Sequence, residues 1–209
     1  TGVGQDYPSA AYEATWNASF PGRLGGNKLA SSFAAQQTKS WWMHGALYVA
    51  VAASPAGPVG YGNVGVYRYH PVREAFTAVQ TLESDVGASA LEHLGVADAV
   101  GDSSDLLVVL NRFKDGLASQ PGARVYRWDA AAGQMALHHT LPLPTAQDWF
   151  GSAASSFKRD GQSYLAVSFY WDGTDTSLQA VVYKWDPFTE AFTIHQTLST
   201  HGAADVAYV

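Results

Sequence analysis

Short apolar runs of about five to eight residues recur along the chain, each closed by Gly, Pro, Asp or Ser. The runs are rich in Val, Tyr, Trp and Thr, and several alternate: Val125 and Arg127 against Tyr126 and Trp128, Phe192 and Ile194 against Thr193 and His195. Runs of this length, composition and period predict half-buried β-strands. No stretch reads as a capped amphipathic helix, and the Ala- and Leu-rich segment 83–99 is broken by Gly87 and Gly95.

The runs repeat in one phase. Val66-Tyr67-Arg68-Tyr69-His70-Pro71 is echoed by Val125-Tyr126-Arg127-Trp128-Asp129-Ala130 and by Val182-Tyr183-Lys184-Trp185-Asp186-Pro187, at offsets 125 − 66 = 59 and 182 − 125 = 57. A large apolar residue stands ten positions after each Val, as Phe76, Met135 and Phe192. Gln80-Thr81-Leu82, His139-Thr140-Leu141 and Gln196-Thr197-Leu198 follow, and the apolar runs 48–52, 106–110 and 164–168 precede. A further element reads Gly87 to Glu92, then Ala146-Gln147-Asp148-Trp149, then Gly202-Ala203-Ala204-Asp205-Val206, and Gly4-Gln5-Asp6-Tyr7 near the start. Four strands in about 58 residues match a blade of a β-propeller. One such sheet buries too little apolar surface to stand alone and needs neighbours on both faces.

The expected units are 2–82 with an insertion at 16–45, 87–141, 146–198, and 201–209 as the first strand of a further blade. In the first unit the innermost strand is placed at 7–12, with 29–33 as the alternative. The insertion, with Pro21-Gly22, Gly25-Gly26 and Trp41-Trp42, reads as a long decorated loop. The chain starts at Thr1 and stops within an apolar run, which reads as a fragment of something longer.

Composition narrows the function classes. The 209 residues are 47% hydrophobic, 13% aromatic and 14% charged, with a formal net charge of −6. Aromatic content and low charge exclude a disordered chain. The sign of the charge and the lack of a Lys/Arg cluster argue against nucleic-acid binding. No apolar stretch approaches the ~20 residues that would span a membrane. Sparse charge suits close contact with other proteins. Without cysteine there is no disulfide, thiolate metal site or Cys nucleophile, and the compartment stays open.

The run Tyr164-Leu165-Ala166-Val167, then Val182 to Pro187, Phe192 to Leu198 and Thr200 to Asp205 resembles the epilepsy-associated (EAR, or epitempin) repeat. The second unit departs from it with His139 for Gln and Ala90 for Asp, and the first with Tyr69 for Trp. The resemblance implies an all-β, seven-bladed propeller in a secreted glycoprotein or a cell-surface ectodomain, serving protein–protein recognition without catalysis. Seven blades need roughly 400 residues.

Candidate sites are few. Asp6, Asp148 and Asp205 recur at the start of the innermost strand, where they would converge on an axial channel as hard oxygen ligands for Ca²⁺; turn capping is the competing reading. Tyr67, Tyr126 and Tyr183, with Tyr69, Trp128 and Trp185, are read as repeat anchors whose rings pack between blades. Asp129 and Asp186 are read as hairpin-turn residues. His138 and His139 are placed on opposite faces of a strand and, with His195, read as packing residues. Asn17-Ala18-Ser19 is an N-glycosylation sequon. Neither a G-x-S-x-G elbow nor a Gly-rich phosphate cradle occurs, so no catalytic residue is assigned. Seven Trp and eleven Tyr keep a glycan-binding propeller as the alternative to a protein-binding one.

Overall fold

A computed structural model of the chain describes residues 33–55, 64–82, 87–111, 123–145, 150–171 and 176–208. Twelve strands are present among them, in three four-stranded antiparallel sheets. The first holds β1 (Phe33–Met43), β2 (Ala46–Pro55), β3 (Val64–His70) and β4 (Ala75–Leu82). The second holds β5 (Ala88–Ala97), β6 (Ser103–Asn111), β7 (Ala123–Asp129) and β8 (Gln134–Thr140). The third holds β9 (Phe150–Arg159), β10 (Gln162–Trp171), β11 (Gln179–Asp186) and β12 (Ala191–Ser199). Every strand pairs with its sequence neighbour, so each sheet is a simple meander. Among the described residues no helix is long and apolar enough to cross a membrane.

The sheets stack face to face. Leu91, Leu107 and Val109 of the second sheet pack against Tyr48, Ala50 and Val66 of the first. Ala90, Leu94, Leu106, Val108 and Leu110 pack against Leu165, Val167 and Phe169 of the third. The middle sheet is thus apolar on both faces, which is why β6 carries an unbroken Leu-Leu-Val-Val-Leu run where a one-sided strand would alternate. Contact between sheets is most extensive along the first strands β1, β5 and β9 and thin between the outermost strands β4 and β8. The sheets therefore fan outward from their first strands.

One element departs from the sequence reading. Residues 33–43, placed inside the insertion 16–45, are strand β1, paired with β2 from Phe33↔Pro55 to Met43↔Ala46. Both 7–12 and 29–32 lie outside the described residues. The polar residues Gln37, Thr38, Lys39 and Ser40 hide the strand from the apolar pattern. Burial nevertheless alternates from 37 to 43, and the inward polar side chains are used rather than wasted. Gln37 Oε1 accepts from the Leu91 backbone N–H, and Lys39 pairs with Glu92, both in the next sheet.

Turn chemistry fits the meander. His44-Gly45 and Asp160-Gly161 take positive φ in succession (49° and 72°, 52° and 76°), the two-residue turn whose twist matches the strands it joins. The outer hairpins close with a positive φ at Glu74, Gly133 and Glu190, one repeat position seen three times.

Candidate interaction surface

One bulge in the first strand and one in the fourth recur in every sheet and re-aim side chains at the neighbouring sheet. An extra residue sits in the first strand at Gln36, Ser89 and Ser152. Another sits in the fourth at Val79, His138 and His195. A bulge leaves one residue outside the ladder and turns its neighbours. Ser89 Oγ donates to Gly151 O across the sheet boundary at 2.7 Å. Ser152 Oγ donates to Ala203 O at 2.6 Å, in the same manner. The outer bulge places His138 and His139 on the same side, toward the third sheet, and corrects their assignment to opposite faces. His138 Nε2 contacts Glu190 O at 2.7 Å, and the two rings stand 4.9 Å apart.

The residue after each outer bulge is the repeat Gln or its substitute. Gln80 Nε2 donates to Met135 O at 2.8 Å while Gln80 Oε1 accepts from Met135 N at 2.8 Å. His139 stands at the same position and keeps half of this clamp, its Nε2 accepting from Phe192 N at 3.4 Å. Its Nδ1 is buried with no partner among the described residues. Burial and the neighbouring His138 lower its pKa to about 4, so it is neutral near pH 7. Gln196, the third copy, is exposed, and its side-chain amide has no partner among the described residues.

Four of the remaining anchors, Trp128, Trp185, Tyr126 and Tyr183, span the sheets as well. Trp185 Nε1 donates to Ala97 O at 2.7 Å, and its ring meets Phe192 edge-on at 5.2 Å. Trp128 meets Tyr48 edge-on at 5.4 Å. Tyr69 packs within its own sheet on Phe76 at 5.3 Å. Tyr126 is buried among the residues joining the first two sheets. Tyr183 is fully buried and donates to Pro142 O at 2.9 Å. Burial raises the phenol pKa of Tyr183 and pushes that of Tyr67 up to about 12.

A polar chain crosses all three sheets at the first strands. Glu92, 6% exposed, accepts from Lys39 Nζ of β1, and from Ser156 N at 3.2 Å and Ser156 Oγ at 2.6 Å of β9. Beside it His93 stacks on Trp41 at 4.9 Å and meets Asp105 at 2.9 Å.

Asp6, Asp148 and Asn17 lie outside the described residues. Asp205 is exposed, and its Oδ1 accepts from Val206 N at 2.8 Å. Ala90 lies opposite Leu110, and Ala153 lies opposite Ser168 at the matching register; the structural counterpart of Ala90 is therefore Ala153, not Asp148. The connection before β9 is longer than that before β5, so the two strands begin at different distances from the Thr-Leu that precedes each. Among the described residues no group of three or more His, Asp or Glu side chains could hold a metal ion.

The hairpins β1–β2, β3–β4, β5–β6, β7–β8, β9–β10 and β11–β12 lie at one edge of the stacked sheets, as the meander order requires. At this edge Trp42, Val72, Val100 and Phe188 are 71%, 87%, 84% and 83% exposed. Three turns share a local device. Asp98 Oδ1 accepts from Val100 N, Asp129 Oδ1 from Ala131 N and Asp186 Oδ1 from Phe188 N, each at 2.9 Å. The Phe188 N–H and the Thr189 hydroxyl hold the Asp186 carboxyl below the usual carboxylate range. A groove open to solvent runs beside the β7–β8 turn, lined by Arg127, Trp128, Asp129, Leu137 and His138.

No family model matches the chain. It is 27% identical over 140 residues, 67% of its length, to a human protein named as a thrombospondin-type laminin G domain and EAR repeat-containing protein. The mouse protein of the same name is 27% identical over 81 residues, 39% of the chain. The chain's matched parts amount to 19% of the human and 11% of the mouse protein. The three-fold recurrence of strands, bulges and inter-sheet contacts and this similarity agree: the chain is related to the EAR repeat-containing proteins.

Proposed function

We propose that the chain is a non-enzymatic recognition and scaffold module, a segment of a radial β-propeller in an extracellular or cell-surface protein. The observation that carries this reading is the repeated joint between sheets. The Gln/His position links the first sheet to the second and the second to the third, the bulge serine links the second to the third and the third to Ala203, and the sheets diverge outward. A joint that recurs with a fixed rotation generates a ring. Gln196 offers the next clamp, and residues 203–208 lie beside β9, with Tyr208 stacked on Phe157 at 4.5 Å, as the first strand of a further blade would. The names of the relatives describe repeat and laminin G domains and no enzymatic activity. Seven blades, secretion and a glycan on Asn17 belong to the same proposal.

The test is quantitative binding of the purified chain to a defined panel of ectodomains, run beside a glycan array. Saturable binding to a protein with a blank array supports the reading. Glycan binding without a protein partner overturns it. Cryo-electron microscopy of the native protein that revealed two flat layers without a central axis would overturn the radial architecture.

A further inference from the structure

The outer clamp carries Gln80 and Gln196 in two copies and His139 in the other, so the clamp between the second and third sheets is titratable and that between the first and second is not. A carboxamide keeps the same donor and acceptor at every pH. An imidazole does not. Because Nε2 of His139 accepts from the Phe192 N–H, the ring proton sits on Nδ1. A second proton can enter only at Nε2. There it turns the acceptor into a donor aimed at another donor, and it charges a ring held in a half-buried seam.

The groups around His139 do not offset that charge. The His138 ring is 4.9 Å away and donates from Nε2 to Glu190 O. From β7, Arg127 faces the same seam and is paired with the Glu190 carboxylate of the β11–β12 turn, so that charge is already met. Asp98, Asp129 and Asp186 accept from N–H groups of their own turns, and these turns are exposed, where water screens them. Arg124 and Lys184 alternate with Val125 and Trp185, which face the seam, and so point to the opposite faces of their sheets. Asp105 of β6 meets His93 on the side of the first sheet, and Glu92 of β5 is bound to Lys39 and Ser156 at the first strands. β10 holds no charged residue.

The seam is also hinged. The sheets approach most closely along the first strands, where Ser89 Oγ donates to Gly151 O at 2.7 Å through groups that do not titrate, and β8 and β12 approach each other at few points. We propose that the seam between the second and third sheets is an acid-sensitive hinge: protonation of His139 breaks its bond to the Phe192 N–H, β8 and β12 part, and the first strands hold the two sheets together. The Trp185 ring, buried at 6.2 Å from His138 and 6.4 Å from His139, then meets water. This goes beyond the recognition reading and is independent of what the chain recognises.

Two amides of one molecule report the two clamps: Met135 N–H, held by Gln80, and Phe192 N–H, held by His139. Their deuterium exchange is followed by NMR on the intact chain and corrected for the intrinsic pH dependence of exchange. With a pKa of about 4 in the closed seam and 6.5 in the open one, opening is about fiftyfold more populated at about pH 4.5 than at about pH 7.5. Protection at Phe192 should fall by that factor while protection at Met135 holds. The Phe192 amide shift should titrate together with the His139 ring protons, which global unfolding would not produce. His139→Gln should make the Phe192 protection independent of pH, and His138→Gln should keep the fall. Equal losses at Met135 and Phe192 in the parent overturn the proposal, because the whole fold and not one seam then responds. A fall that survives His139→Gln, or flat protection at Phe192 in the parent, overturns it as well.

Discussion

Gln80 and Met135 are joined by two hydrogen bonds across a sheet boundary, the amide of one side chain meeting both backbone groups of the other residue at 2.8 Å. A carboxamide carries its donor and acceptor side by side, spaced to meet the C=O and N–H of one backbone residue at once. The repeat Gln is thus a joint between sheets, and the bulge before it is what swings it out of its own sheet.

Gln80→Leu leaves the N–H and C=O of the buried Met135 without partners. Unsatisfied buried polar groups cost about 1–3 kcal/mol each, and part of that is recovered by local adjustment, so a net loss of about 2 kcal/mol is expected. His139→Gln is the converse. It supplies the missing donor and removes the orphaned Nδ1, and should stabilise by about 1 kcal/mol. Urea denaturation of the two variants and the parent reads both.

His139 also sets an acid limit. Its pKa falls from 6.5 in the unfolded chain to about 4 in the fold, chiefly through burial. Between those values the unfolded chain binds the proton and the folded chain does not. Stability from this group is therefore whole above 6.5 and is lost as the pH falls through about 4. The drop in urea midpoint between about pH 7.5 and about pH 4.5 should be smaller in His139→Gln than in the parent. An equal drop in both would remove His139 from the acid response.

Much of this fold was legible. The three-fold phase of Val-Tyr-Arg/Lys-Trp/Tyr and Thr-Leu places β3, β4, β7, β8, β11 and β12 where they lie, because each copy carries the same β-branched and aromatic residues at the same strand positions. Two features were hidden. β1 was masked by its polar residues, which satisfy groups of another sheet and so break the pattern that burial within one sheet would impose. The bulges were invisible because one inserted residue leaves no compositional mark, and without them His138 and His139 seem to diverge. Aspartates at turns were legible as such: Asp129 and Asp186 cap their own hairpins. The exposed tips could have been found from Pro71-Val72 and Pro187-Phe188, apolar residues where a turn would ordinarily be polar.

Lys39 and Glu92 form the ionic part of the chain that ties the first strands together. The Glu92 side chain is nearly buried, and about a third of the Lys39 side chain is exposed at 34%. Lys39→Met strands the carboxylate with only its Ser156 bonds. Breaking a buried pair costs about 3–5 kcal/mol, and exposure of the lysine reduces that to about 2 kcal/mol. Glu92→Gln keeps an acceptor for Ser156 and discharges the site. The double variant should therefore be more stable than Lys39→Met alone, and a double-mutant cycle measures the coupling. Additive losses would mean that the pair does not act as a pair.

Gly151 and Gly95 separate close approach from mere presence in a strand. A Cβ on Gly151 would stand 2.9 Å from Leu110 Cβ and 3.1 Å from Leu110 Cδ1, within the joint where the Gly151 carbonyl receives Ser89. Leu110 is fully buried and cannot swing aside, so β9 must move. Gly151→Ala should lose about 1–3 kcal/mol by overpacking and loosen the second sheet from the third. A Cβ on Gly95 meets nothing within 4 Å. Gly95→Ala limits the unfolded chain without a clash and should gain about 0.5 kcal/mol. Thermal unfolding should order the three proteins as Gly95→Ala, parent, Gly151→Ala. If Gly151→Ala matched the parent, the first strands of adjacent sheets would have to stand further apart than these distances place them.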